Sequence, residues 1–288
     1  MDQTKKAVLF TVLAGVLWGS SFPVIKIGLR YIDPFMLVIL RFFLASIIMI
    51  IILLFTRRFD RKFAKRSIWI LGILNGVSYL LEYVGMAFTT ASKSSLIINL
   101  SAVWVAVLSW LILKDRFGKK KSLGIIFSIL GVFIITTNLN FQELLGGTLF
   151  GDITTLFSGI GWSLFIVLNK KFISDFEDQF QFNAWVLFIT ALPLIPFVPL
   201  SSNITLNLPA EAWIIIAYTA IFCSIISYYI WLKGLKHISP VTSTVVLLTE
   251  VVVAVIISYI ILGEGFTLTS GIGALLILSA IILVSLDA

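Results

Sequence analysis

The chain reads as long apolar runs broken by short charged knots. Ten runs of spanning or near-spanning length can be drawn, at residues 7–29, 35–55, 67–88, 94–113, 122–137, 150–168, 184–200, 213–232, 241–262 and 268–286. A hydrocarbon core of about 30 Å takes roughly 20 helical residues to cross. Most of the runs meet that length, and 122–137 and 184–200 fall short of it. Lipid offers the backbone no hydrogen-bond partner, so each run is expected to be a helix. The connections are brief and leave no room for a soluble domain. Run 7–29 is too long for a signal-peptide core and no small-residue cleavage site follows it, so it is read as a retained first helix.

The pattern also repeats. Residues 85–115 and 234–264 each read as a glycine, a polar turn, small hydroxyl residues, a long apolar stretch and an acidic residue. The offset is a constant 149, pairing Gly85/Gly234, Ser94/Ser243, Asp115/Glu264, Phe117/Phe266 and Gly124/Gly273. An earlier echo at an offset of 144 pairs Gly15/Gly159, Trp18/Trp162 and Lys26/Lys170. Two halves, residues 1–138 and 139–288, then hold five runs each. An odd number of spans turns the second copy upside down, and inverted repeats build two related conformations around one central site. The expected fold is an all-α membrane protein of ten transmembrane helices arranged as two inverted five-helix repeats.

Composition agrees with a bilayer as solvent. Of 288 residues, 59% are hydrophobic and 12% charged, the mean hydropathy is +1.09, and a soluble domain carries roughly 25% charge. A net charge of +7 would point a soluble chain toward nucleic acid. Here 17 of the 21 basic residues collect in the N-terminus and alternate loops, at Lys5, Lys6, Arg57–Arg66, Lys114–Lys121, Lys170, Lys171, Lys233 and Lys236. That is the positive-inside pattern, and it places both termini in the cytoplasm of a chain crossing the plasma membrane. No nucleic-acid partner is expected. One cysteine, Cys223, and one histidine, His237, exclude a disulfide framework and a Cys/His metal cluster within one chain. No phosphate-binding glycine loop is present, and no cofactor is expected. The outer loop 201–211 carries Asn203-Ile-Thr205, a glycosylation sequon that also arises by chance.

Polar residues inside a span need a protein-facing or cavity-facing reason. Asn75, Tyr79, Glu82 and Met86 fall on one face of the third run. Its repeat carries Ser224, Ser227, Tyr228 and Trp231, with Tyr228 the partner of Tyr79. These faces suit a cavity that stacks on or hydrogen-bonds a small polar solute, and equally helix–helix hydrogen bonding. Ser94 and Ser101 in the fourth run match Ser243 and Glu250 in the ninth. Glu250 lies near mid-bilayer, suited to proton coupling, to a substrate amine, or to bonding a neighbour as a buried carboxyl. Arg41 and Glu82 sit at matched depth, about 9–11 Å in, where a structural ion pair would offset part of the desolvation of each. Trp18 and Trp162 occupy equivalent places beside Gly15, Gly19, Gly159 and Gly161. With Pro23, the first run suits either a bending gate or tight static packing. Lys26 is expected to snorkel, and Asp115 and Glu264 to be solvated helix ends. Asn99 and Asn169 are secondary ligand candidates.

Several of these stretches carry a resemblance. Trp18-Gly-Ser-Ser-Phe-Pro23, Leu40-Arg-Phe-Phe-Leu44, Gly85-Met-Ala-Phe-Thr-Thr-Ala-Ser92 with its repeat, Lys114-Asp115 and Gly263-Glu264 resemble motifs of the EamA-type members of the drug/metabolite transporter superfamily. The resemblance runs over essentially the whole chain, with Asp115 standing where that family more often has Glu. It implies a central cavity lined by spans 1, 3, 4, 6, 8 and 9, with spans 5 and 10 packed behind and span 2 at the periphery. It also implies ATP-independent export, sometimes import, of amino acids and other small metabolites. The expected function is a secondary transporter, in the exporting direction, working by alternating access and either proton-coupled or facilitative. The alternatives are a channel-like or scaffold membrane protein and, more remotely, a membrane-embedded enzyme. The substrate-binding candidates are Trp18, Asn75, Tyr79, Glu82, Asn99, Ser101, Trp162, Tyr228, Trp231 and Glu250, with Glu250 the coupling candidate.

Overall fold

The computed structural model describes residues 2–60, 63, 65–89, 97–116, 118–201, 206–262 and 267–286. Expectations that fall on Arg61, Lys62, Ser92, Lys93, Ser94, Phe117, Asn203, Thr205, Gly263, Glu264 and Phe266, or on the side chain of Met86, lie outside what it describes. The chain runs through α1 (Gln3–Gly28), α2 (Pro34–Phe55), α3 (Arg66–Phe88), α4 (Ile97–Leu113) and α5 (Lys119–Thr137), then α6 (Leu149–Phe172), α7 (Gln179–Pro199), α8 (Ala210–Leu235), α9 (Pro240–Ile261) and α10 (Leu268–Ser285). Among the described residues nine of these are long and apolar enough to cross a membrane, and α4 is a shorter apolar helix. The fold is all-α, ten transmembrane helices in two inverted repeats.

Helix starts follow local chemistry. Asp33 accepts from the amides of Phe35 and Met36 at 2.9 and 3.3 Å, with Pro34 opening α2. Ser239 accepts from Thr242 N at 3.2 Å, with Pro240 opening α9. Thr148 caps α6 at Gly151 N, 3.1 Å, with Asp152 in the first turn to complement the helix dipole. The run expected at 184–200 is not short: α7 begins at Gln179, where Asp178 accepts from Phe180 N at 2.9 Å. Its first turns carry Gln179, Gln181 and Asn183, which read as loop because they are polar. Gln181 and Asn183 are buried against neighbouring helices. From Leu192 to Leu200 it tightens into a 3-10 helix, because Pro193, Pro196 and Pro199 donate no amide hydrogen bond. α5 likewise begins three residues before the expected 122, at Lys119.

Each repeat completes the other. Gly85 of α3 lies against Thr155 of α6, and its repeat mate Gly234 of α8 lies against Thr11 of α1, the mate of Thr155. A side chain on Gly15 would meet Leu247 O of α9 at 3.2 Å, and one on Gly159 would meet Ile98 Cα of α4 at 3.5 Å. The first helix of each half therefore packs on the third and fourth helices of the other half. At the back, α5 and α10 meet glycine to glycine, with a Cβ on Gly131 or Gly273 falling 2.7 Å from the other's carbonyl. α4 and α9 share two further features. Each is interrupted, α4 in its first described turn at Leu100 (φ −62°, ψ −7°) and α9 near its middle at Leu248 (φ −61°, ψ −6°). Each then ends in a π turn, Ser109–Leu113 and Ser258–Leu262, at the same 149-residue offset. Large apolar side chains such as Phe55, Ile260 and Leu275 face outward, while polar Asn75, Ser158 and Asn183 are buried, the inverse of a soluble protein.

Candidate functional site

A cavity of about 410 Å³ lies between the repeats, in the size range of small-molecule sites. It is lined from α1, α3, α4, α6, α8 and α9, and also from α2 through Arg41. Its lining reaches the second half of α1 at Phe22 and Ile25 and the last turns of α3 at Tyr83. It therefore extends toward the face opposite the two termini.

The aromatic residues form a connected wall. Phe165 and Trp231 stack at 6.0 Å, closing the floor toward the termini. Trp18 meets Tyr228 edge to face at 5.2 Å, and Trp162 meets Tyr79 the same way at 4.6 Å. Such contacts hold rings in fixed orientations. Hydrogen bonds fix the indoles further: Trp231 Nε1 donates to Ser243 Oγ at 2.9 Å, Trp162 Nε1 to Glu82 Oε2 at 3.1 Å, and Trp18 Nε1 to Cys223 O at 2.8 Å.

The last of these rests on a backbone irregularity. Residues Ile221–Ile226 of α8 wind as a π turn, which displaces the regular ladder and frees carbonyls for other donors. Cys223 O takes a second bond from Arg41 Nη2 at 3.0 Å, and Ile225 O accepts from Asn183 Nδ2 at 3.1 Å. One turn of α8 thus ties down α1, α2 and α7. Arg41 also donates from Nε to Ser224 Oγ at 2.7 Å and lies over the Phe42 and Tyr79 rings at 5.3 and 5.6 Å. The direct Arg41–Glu82 ion pair is not formed: Arg41 gives its hydrogen bonds to α8, and Glu82 takes one from Trp162. The π turn places a carbonyl and a hydroxyl within hydrogen-bond reach of the guanidinium instead.

Nine of the ten binding candidates line the cavity: Trp18, Tyr79, Glu82, Asn99, Ser101, Trp162, Tyr228, Trp231 and Glu250. Asn75 does not. It is fully buried behind the wall, accepting from Tyr228 Oη at 3.3 Å and donating to Thr190 Oγ1 at 3.0 Å. Asn169 is likewise below the floor, donating to Phe165 O at 2.8 Å with its Oδ1 unbonded among the described residues. Glu250 makes no hydrogen bond or ion pair among the described residues, and its carboxylate borders the cavity two residues past the Leu248 break. Gly19 lets α1 approach there: a Cβ would sit 2.5 Å from Glu250 O. α1 continues unbroken through Pro23.

Lining residues that were not among the candidates include Tyr83, Phe165 and Thr244. The signal existed for two of them, since Tyr83 is four residues past Tyr79 and Phe165 three past Trp162, on the same helix faces. Among the described residues no three His, Cys, Asp or Glu side chains converge as metal ligands. His237 stands apart, just past α8, where partial burial and then the charges of Lys236 and Lys170 hold its pKa below the usual value.

The EamA-like transporter family model matches residues 5–137 and again residues 149–286. A protein of Archaeoglobus fulgidus named as an uncharacterized transporter is 28% identical over 286 residues, covering 96% of each chain. The uncharacterized transporter YyaM of Bacillus subtilis is 29% identical over 286 residues, covering 96% of this chain and 93% of that one. A solved crystal structure of a protein superposes with a TM-score of 0.84 at 16% identity over 99% of this chain and 98% of that one, a likeness of fold. With the duplicated match covering both inverted halves, this chain is a multi-pass membrane transporter and belongs to the EamA-like transporter family.

Proposed function

We propose that the protein is a secondary transporter that exports small metabolites, amino acids among them, by alternating access through the central cavity. It sits in the plasma membrane with both termini cytoplasmic, the side favoured by its lysines and arginines. The observation that carries this reading is a cavity at the junction of two inverted repeats, lined from both. Trp18, Tyr79, Trp162, Tyr228 and Trp231 supply the surface for an amphipathic solute, and Asn99 and Ser101 supply polar contacts. Glu82 and Glu250 supply acceptors, and Glu250 is the coupling carboxylate. Asn75 acts from behind by holding the Tyr228 hydroxyl.

Reconstitution in liposomes tests it. Flux of a small metabolite should saturate with concentration, fall sharply in Tyr79→Ala, and lose its response to a proton gradient in Glu250→Gln while exchange persists. Non-saturable flux insensitive to both substitutions is the channel outcome, and no flux of any metabolite is the scaffold outcome. Either result refutes the proposal.

A further inference from the structure

We infer that the cavity selects a monocation, an amine on an aromatic-sized apolar body, over an anion or a zwitterion. This rests on the transport reading and narrows its substrate class to amines, setting zwitterionic amino acids outside it.

Donors and acceptors on the wall are out of balance. Among the described residues three ionisable acid or guanidinium side chains line the cavity: Arg41, Glu82 and Glu250. The one cation among the described lining residues is already engaged. Arg41 is 4% exposed, donates to Ser224 and Cys223 O, and is covered by the Phe42 and Tyr79 rings. The carboxylates are not similarly satisfied. Glu82 accepts one hydrogen bond, from Trp162 at Oε2, and Glu250 accepts none among the described residues. A carboxylate accepts up to about four hydrogen bonds and an ammonium donates three, so a bound amine matches what the wall lacks. A bound carboxylate would place another acceptor beside two carboxyl groups in a site whose arginine is committed elsewhere, with no free donor to meet it among the described lining side chains that carry a cation.

The rings favour the same ligand. Trp18, Tyr79, Trp162 and Trp231 present faces and edges around the cavity. A cation held against such faces gains electrostatically, most of all with Trp. A flat apolar body fills the remaining, mainly apolar, surface.

The placement of the carboxylates is not a by-product of the duplication. The repeat mate of Glu82 is Trp231, and the repeat mate of Glu250 is Ser101. Each half contributes one acid at a position where the other half has none. All four residues border the cavity.

The test is binding to the purified protein, read by thermal shift, with four probes of similar shape: phenethylamine, 2-phenylethanol, 3-phenylpropionate and phenylalanine. Phenethylamine should bind at least about tenfold more tightly than the others, the scale of one charge-assisted hydrogen bond. Glu82→Gln and Glu250→Gln should each weaken it by about tenfold or more. The double variant should lose the preference while still binding 2-phenylethanol, which shows that the cavity is intact. Equal or tighter binding of 3-phenylpropionate or phenylalanine overturns the inference. So does survival of the amine preference in the double variant, or failure of all four probes to bind. Saturable liposome flux of an anionic or neutral metabolite, with no amine preference, would sink this inference and leave the transport reading standing. Absence of any saturable flux would sink the transport reading itself.

Discussion

Tyr79 and Tyr228 are repeat mates 149 residues apart, and their hydroxyls meet at 3.4 Å. Two equivalent residues touch only where the symmetry relating them passes between them, so this contact marks the pseudo-two-fold axis of the molecule. It lies in the cavity wall, and the site is therefore built on the axis that relates the two halves.

The two tyrosines are nonetheless unequal. Tyr228 Oη also donates to buried Asn75 Oδ1, which has no other donor among the described residues. Tyr228→Phe strands that acceptor and should cost about 1–3 kcal/mol. Tyr79→Phe removes one long contact and should cost less than about 1 kcal/mol. Thermal unfolding of the two variants in detergent checks the order, and equal losses would contradict it.

Gly19 and Gly15 differ in how much room they have. A methyl at Gly19 falls 2.5 Å from Glu250 O and 2.9 Å from its Cα, atoms of backbone that cannot rotate away. At Gly15 the nearest atoms stand at 3.2 Å. Gly19→Ala should destabilise by about 1–3 kcal/mol through overpacking and disturb ligand binding by displacing Glu250. Gly15→Ala should be milder in both. Melting temperature and probe affinity, measured side by side, decide it.

Arg41 uses two different nitrogens for two acceptors on α8. A lysine presents a single point and cannot serve both. Arg41→Lys should lose at least one charged hydrogen bond, about 1.5–3 kcal/mol, and Arg41→Met should lose more. Neither should diminish a preference for amines. A stable Arg41→Met variant with ordinary melting behaviour would show that the π turn of α8 does not depend on this contact.

Lys170 joins the ends of α6 and α8 on the face that carries the termini. Its Nζ donates to Leu235 O and Lys236 O, both at 2.9 Å, where a helix end leaves carbonyls without partners. Lys170→Met should lower the melting temperature, and Lys170→Arg should restore most of the loss. An unchanged Lys170→Met variant would show that water replaces the lysine at no cost.

Much of this was readable from residue spacing. The apolar runs located all ten helices, and the 149-residue offset paired Tyr79 with Tyr228 before any contact was known. Spacing names a helix face but not the depth at which a cavity closes on it. Asn75 and Asn169 share faces with cavity residues, yet each lies one turn beyond the floor, Asn75 below Tyr79 and Asn169 below Phe165. The fate of Arg41 was hidden for another reason. A π turn inside an apolar stretch such as Ile221–Ile226 has no compositional mark, so the freed Cys223 carbonyl could not be foreseen. The polar start of α7 shows the converse: Gln181 and Asn183 look like loop and are buried helix, Gln181 accepting from Asp60 N and Asn183 donating to Ile225 O of α8 in place of water.

The exchange of first helices between the halves has a consequence for biosynthesis. α1 leaves the ribosome first, but its partners are Gly234 and the Cys223 carbonyl on α8 and the Glu250 backbone on α9. Those residues emerge some two hundred positions later. Until then the glycine face of α1 has only lipid to rest against, and α3 and α4 wait with a slot that α6 alone fills. Insertion of the ten helices and assembly of the bundle are therefore separate events in time. A nascent chain stopped after its fifth helix would have crossed the membrane five times and would hold only part of each wall of the cavity.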